Sequence, residues 1–211
     1  MEQEAVRAAY DVVAEDYADL LREELAEKPL DRALLGAFAE LVGDGPVLDA
    51  GCGPGRIAGY LASLRTDVRG VDLSPGMVAV ARRDHPELRF DVGSLTALDA
   101  PDASFGGVLA WYSLIHLPPD ALRGAVSELA RVLRPGGYLL AAFQAGDGKV
   151  RLDRPYGHDV VLDAHRLDPD QVSAMLAGVD LPVVARATRE PRARERTRQA
   201  YLLARRTVAD D

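Results

Sequence analysis

One stretch, Val47-Leu48-Asp49-Ala50-Gly51-Cys52-Gly53-Pro54-Gly55-Arg56, limits what this chain can become more than any other. An apolar run of strand length enters three closely spaced glycines and leaves into a helical pattern from Ile57 to Leu64. Glycines allow a sharp turn and a close approach of backbone to ligand, and the following helix opens with unpaired N–H groups and a positive dipole end. Strand, glycine loop and helix in this order imply an α/β sheet with a nucleotide-like ligand. Two familiar versions fit poorly. A dinucleotide fingerprint needs glycine at the sixth position of G-x-G-x-x-G, where Arg56 stands, and no Gly-Lys-Ser/Thr follows to make a P-loop.

The rest of the chain continues the rhythm. Strand-length apolar runs alternate with helical stretches: Val68 to Leu73 then Pro75 to Asp84, Leu88 to Val92, Phe105 to Tyr112 then Pro119 to Leu133, and Tyr138 to Gln144. Such alternation predicts a mainly parallel sheet with helices on both faces. Upstream, Val6, Tyr10, Val13, Tyr17 and Leu20 recur at helical spacing, and Pro29 opens a second helix closed by Gly43 and Gly45. Downstream comes a loop-rich segment from Ala145 to Leu167. A helix from about Pro169 to Ala177 follows, then strands near Pro182 to Arg189 and Gln199 to Arg205 that can pair antiparallel. With 211 residues, one domain is expected. Its parts are a helical cap (1–43), a ligand-binding core (46–144), a substrate-side insertion (145–167) and a C-terminal helix and hairpin (168–211).

Charge narrows the partners. A formal net charge of -8 is the wrong sign for a protein that gains affinity by neutralising phosphates. The arginines at 186, 189, 192, 194, 196 and 198 are interrupted by Glu190 and Glu195 and read as a solvated rim. No apolar run approaches the roughly 20 residues of a membrane helix, and early charges exclude a signal segment, so a cytoplasmic protein with neither nucleic acid nor membrane as partner is expected. Cys52 is the single cysteine and makes no intrachain disulfide; none of the four histidines forms a metal-ligand spacing with another. No metal is expected. Monomer and homodimer both remain open.

About 20 residues beyond the first glycine, the second strand ends in Gly70-Val71-Asp72-Leu73-Ser74-Pro75. A carboxylate there can accept the hydroxyl protons of a ribose. Ser74 and Pro75 form a good helix start, which brings Met77 back over the crevice. Together D-A-G-C-G-P-G-R, V-D-L-S-P-G-M, P-D-A-S-F at Pro101 to Phe105 and L-R-P-G-G-Y-L at Leu133 to Leu139 resemble a class I S-adenosylmethionine-dependent methyltransferase of the small bacterial, small-molecule kind. The likeness runs from about Tyr10 to Phe143, and Tyr10-Asp11 with Ala14 and Tyr17 is similar to the N-terminal cap of such enzymes.

The resemblance implies a Rossmann-like, doubly wound sheet of seven mostly parallel strands with an antiparallel C-terminal hairpin strand and an N-terminal helical cap. It implies S-adenosylmethionine as cofactor, S-adenosylhomocysteine as product, and methyl transfer to O or N of a small molecule. Asp49, Gly51, Cys52, Gly53, Gly55 and Arg56 would hold the methionine part, with the methionine carboxylate, an acidic substrate or an ion pair to a nearby Asp such as Asp49 as alternatives for the charge facing Arg56. Asp72 would hold the ribose, and Leu73, Met77, Gly93, Ser94 and Leu95 the adenine, with Ser94 where many relatives carry an acidic residue. Tyr10, Tyr17 and Trp111 would close on the cofactor. Trp111, Tyr112, Ser113 and His116 at the end of the fourth strand, with Gln144, Tyr156 and His158, are the substrate-side candidates. His116 is the candidate base and Tyr17 acts by placement. An NAD(P)-linked oxidoreductase and a catalytically silent binding subunit are the rival readings.

Overall fold

Residues buried on both faces read as unbroken apolar runs, and two such strands stand at the centre of this molecule: β1 (Val47–Ala50) and β4 (Phe105–Trp111) are buried at every position. The computed structural model describes residues 2–192 and 195–208; Arg194 of the arginine run lies outside them. Around the central pair are β2 (Val68–Asp72), β3 (Arg89–Val92), β5 (Leu133–Gln144), β8 (Val183–Arg189) and β9 (Gln199–Arg205), in the order β3-β2-β1-β4-β5-β9-β8. All pairings from β3 to β5 are parallel, and β9 runs antiparallel to both neighbours. This is the expected Rossmann-like architecture.

Helices cover both faces. α2 (Pro29–Val42) and α3 (Arg56–Ser63) bury Leu35, Phe38, Ile57 and Leu61 on one side. On the other, α5 (Pro119–Val132) and α6 (Pro169–Ala177) bury Leu122, Val126, Leu129, Val172 and Leu176. Each such side chain contributes roughly 1.5–3 kcal/mol on leaving water. α1 (Glu2–Leu21) packs elsewhere, laying Val13, Ala14 and Ala18 on Met77 and Val80 of α4 (Pro75–Asp84).

Two sequence expectations need correction. β5 begins at Leu133, well before Tyr138, and a register shift against β4 between Phe105 and Gly107 accommodates Pro135, which has no N–H to give. The segment after Ala145 is more ordered than its composition implied. It folds into an antiparallel hairpin of β6 (Lys149–Asp153) and β7 (Val161–His165), apart from the main sheet. Its strands are mostly exposed and so read as loop, yet Leu162 is buried against Val6 and Ala9 of α1.

Candidate active site

The strand order reverses direction between β1 and β4, and in open parallel sheets the ligand crevice opens there, beyond the carboxyl ends of the strands. A cavity with about 750 Å³ of space, open solvent included, lies at that point. Its floor comes from the ends of the strands and its cover from α1.

The floor is built first by backbone. Gly51 has a φ of 82°, and a Cβ there would stand 2.2 Å from the Cβ of Ser113, so only glycine fits. The N–H groups of Gly51 and Cys52 both donate to the Val71 carbonyl, and that of Gly53 donates to Asp72 at 2.8 Å. Asp72 also accepts from the Ser74 N–H at 2.9 Å. The glycine loop therefore directs these amides to β2 rather than offering them to a ligand, and in doing so it fixes the Asp72 carboxylate at the cavity wall. Burial pushes Asp72 above the usual carboxylate range, against the pull of those two amides.

Behind the loop, Asp49 is 1% exposed, and neither carboxyl oxygen completes a hydrogen bond. Burial first, then the nearby Asp72 charge, push it up to about 7, with Arg56 and the Ala58 amide opposing. Among the described residues Arg56 pairs with Glu24, in the turn before α2, at 3.0 Å, rather than with Asp49. Its Nη1 remains buried without a partner. A carboxyl and a guanidinium N–H that complete no hydrogen bond among the described residues complement the ammonium and carboxylate of an amino-acid zwitterion.

Of the sequence candidates, Tyr10, Tyr17, Gly51, Gly53, Asp72, Leu73, Met77, Ser94, Leu95, Trp111, Tyr112, Ser113 and His116 line the cavity. Asp49, Gly55, Arg56 and Gly93 stand behind that wall. The Cys52 thiol belongs to the core with Phe90 and Val68, and burial raises its pKa well above the ordinary value, which leaves it inert. Ser113 donates its hydroxyl to the Ala50 carbonyl at 2.6 Å and so ties β4 to β1. Tyr112 has a φ of 58°, strained for a bulky residue, and its buried hydroxyl lies near Tyr201 without completing a hydrogen bond among the described residues. Ser94 bonds Thr96 at 2.8 Å, and Asp91 is held by Arg69 at 3.0 Å.

The three later substrate candidates lie off the cavity. Gln144 pairs with Gln199 in the sheet. Tyr156 sets its ring edge-on to Tyr17 at 5.2 Å, and His158 meets Asp16 of α1 at 2.5 Å. Both are contacts between the hairpin segment and α1.

Residues not anticipated complete the cover. Asp11 accepts from the Ser74 hydroxyl at 2.6 Å and the Gly76 N–H at 2.9 Å, placing a carboxylate at the N-terminus of α4. Gly76 permits this, since a Cβ would lie 3.0 Å from the Asp11 Cα. Gln3, Val6 and Arg7 line the mouth, at helical spacing from Tyr10, and that spacing was the available signal. His116 is held from two sides, with Nε2 2.7 Å from the Tyr10 hydroxyl and Nδ1 3.1 Å from the Asp163 carbonyl. Burial lowers its pKa.

The methyltransferase domain family matches residues 47–137. Among curated proteins, a malonyl-[acyl-carrier protein] O-methyltransferase of Enterobacter lignolyticus is 35% identical over 149 residues, 70% of this chain and 56% of that protein. A demethylmenaquinone methyltransferase of Beutenbergia cavernae is 38% identical over 140 residues, 65% of this chain and 57% of that one. The chain thus spans little more than half the length of these relatives. Among solved structures, the Burkholderia thailandensis 1,6-didemethyltoxoflavin-N1-methyltransferase with bound 1,6-didemethyltoxoflavin and S-adenosylhomocysteine superposes with a TM-score of 0.74 at 25% identity, covering 97% of this chain and 88% of that one. The matched stretch runs from β1 into β5 and carries the glycine loop, Asp72 and the strand ends that floor the cavity: residues 47–137 form a methyltransferase domain of the class I S-adenosylmethionine-dependent kind.

Proposed function

We propose that this protein transfers a methyl group from S-adenosylmethionine to O or N of a small molecule held between the floor and α1. One observation carries the reading: the Asp72 carboxylate and an aromatic wall line one crevice, and among the described residues the buried Asp49 carboxyl and Arg56 Nη1 behind that wall complete no hydrogen bond. Asp49 and Arg56 would take the amino-acid end of the cofactor, Asp72 its ribose, and Met77, Ser94 and Leu95 its adenine. The bound cofactor supplies a methyl group already activated on a sulfonium, whose C–S bond breaks with its electron pair staying on sulfur. The chain's own work is to orient the acceptor against Tyr17, Trp111 and Tyr112 and to exclude water.

Calorimetry with S-adenosylmethionine, S-adenosylhomocysteine and NAD tests this. The first two should bind and NAD should not; Asp72→Ala should weaken binding by roughly 1.5–3 kcal/mol, the worth of hydrogen bonds to a charged group. Asp49 adds a proton signature. Its folded-state pKa of about 7 lies above the ordinary 3.8, so the ligand-free protein binds the extra proton between those values and loses stability as pH rises through about 7. A ligand ammonium would favour the charged carboxylate. Binding near pH 6.5 should therefore release protons, measurable across buffers of different ionisation enthalpy, and Asp49→Asn should abolish that release. Binding of NAD in place of S-adenosylmethionine would overturn the assignment.

A further inference from the structure

We infer that Tyr10 and His116 form a proton relay, and that the acceptor is a neutral, planar molecule bearing a phenol-like or enol-like hydroxyl rather than a carboxylate. The inference rests on the methyl-transfer reading and names the substrate class for the same cavity.

The tautomer follows from the partners. The Asp163 carbonyl can only accept, so Nδ1 of His116 carries the hydrogen; in the neutral ring Nε2 is then an acceptor, and Tyr10 must donate to it. Tyr10 lines the cavity, its hydroxyl oxygen keeps acceptor lone pairs, and its own proton already points at a base. A structural contact alone would need neither this direction nor a cavity-lining position for both partners.

The proton balance closes. As the acceptor oxygen bonds to the methyl carbon, its hydrogen passes to Tyr10 Oη, and the Tyr10 hydrogen passes to His116 Nε2. The sulfonium charge ends as an imidazolium held by the Asp163 carbonyl. A carboxylate acceptor would need no such relay, being ionised at neutral pH. It would also lack a cation to hold it: among the described residues lining the cavity, Arg7 is already paired with Glu4 and with Asp11 at 3.0 Å. The walls suit a flat ring instead. Tyr10 meets His116 and Tyr17 edge-on at 5.2 and 5.9 Å, and Trp111 meets Tyr112 at 5.9 Å. The other titratable or charged groups around the imidazole are Arg7 and Asp11 on α1, Asp72 across the cavity, and Asp163, paired with Lys149, and His165 on β7.

The test uses the full chain with S-adenosylmethionine, 2-naphthol and 1,4-dihydroxynaphthalene as hydroxyl probes, and benzoate and monoethyl malonate as carboxylate probes, reading S-adenosylhomocysteine release. Release should follow the hydroxyl probes. Tyr10→Phe and His116→Gln, which keep the ring and a hydrogen-bonding side chain, should each lower kcat by about 10²-fold or more, the range for general base catalysis, with S-adenosylmethionine affinity within about twofold. In His116→Gln the loss should shrink toward pH 10, where a phenol of pKa about 10 ionises unaided. Nitrogen-15 NMR of the resting protein should show Nδ1 protonated and Nε2 accepting, with Nε2 displaced by Tyr10→Phe. The opposite tautomer, unchanged kcat in either variant, release from carboxylates alone, or cofactor binding without release from any hydroxyl probe overturns the relay and its acceptor class. Failure to bind S-adenosylmethionine at all overturns the methyl-transfer reading itself.

Discussion

Floor and cover of this site are built by different means. The floor, from Asp49 to Arg56 and at the ends of β2 and β4, is largely backbone: buried strands in parallel register and loop amides donating to Val71 and Asp72. The cover, α1 with the β6–β7 hairpin packed against it, is joined to the rest through side chains. Asp11 reaches the α4 N-terminus, Tyr10 reaches His116, and Tyr17 meets Tyr156. Backbone geometry tolerates few residue types, whereas side-chain contacts can be lost singly. The floor should therefore fail as a unit and the cover loosen in steps.

The largest expected effect strikes the floor. Gly51→Ala combines a positive φ with a Cβ 2.2 Å from Ser113, which should cost about 2–4 kcal/mol of stability as strain and overpacking add. Gly53 has a φ of 54°, and a Cβ there would meet nothing within 4 Å, so Gly53→Ala should cost only about 1–2 kcal/mol. Urea unfolding of the pair measures this. Equal losses would show that close approach to Ser113 is not what the floor depends on.

A middle effect belongs to the joint between the two regions. Asp11→Ala removes a charged acceptor for the Ser74 hydroxyl and the Gly76 N–H, worth about 1–2 kcal/mol as lost hydrogen bonds and a lost dipole contact. Hydrogen exchange should then speed up across α1 while β1 and β4 keep their protection. Equal loss of protection in the strands would mean that the cover is not a separable unit.

The same division explains what the sequence made legible. The floor is local: glycines, a strand-end carboxylate and a Ser-Pro helix start stand within one chain segment, where periodicity and turn chemistry disclose them. The cover is assembled across the chain. Tyr10 and His116 are 106 residues apart, and Asp11 and Ser74 are 63 apart, so no spacing rule joins them. Tyr17 and Tyr10 were visible as a helical stripe, but not which neighbour each would meet. Glu24 carried no signal as the partner of Arg56, since it stands in a short turn outside any periodic pattern. The hairpin was hidden for another reason. Its strands keep few buried positions, so their polar composition imitates a loop.

The smallest effect should come from the outermost contact. His158 meets Asp16, whose side chain is 62% exposed, and an ion pair so open to water and salt is worth about 0–1 kcal/mol. Leu162, by contrast, is fully buried against Val6 and Ala9, and Tyr156 sets its ring against Tyr17. Apolar area taken from water, rather than charge, should therefore hold the hairpin to α1. On that argument His158→Ala should leave unfolding stability within about 0.5 kcal/mol, and hydrogen exchange in β6 and β7 should change far less than in Leu162→Ala. High salt, which screens exposed charge pairs, should likewise leave hairpin protection unchanged. If His158→Ala or salt frees the hairpin as completely as Leu162→Ala does, the outer layer of the cover is held by charge rather than by buried apolar area.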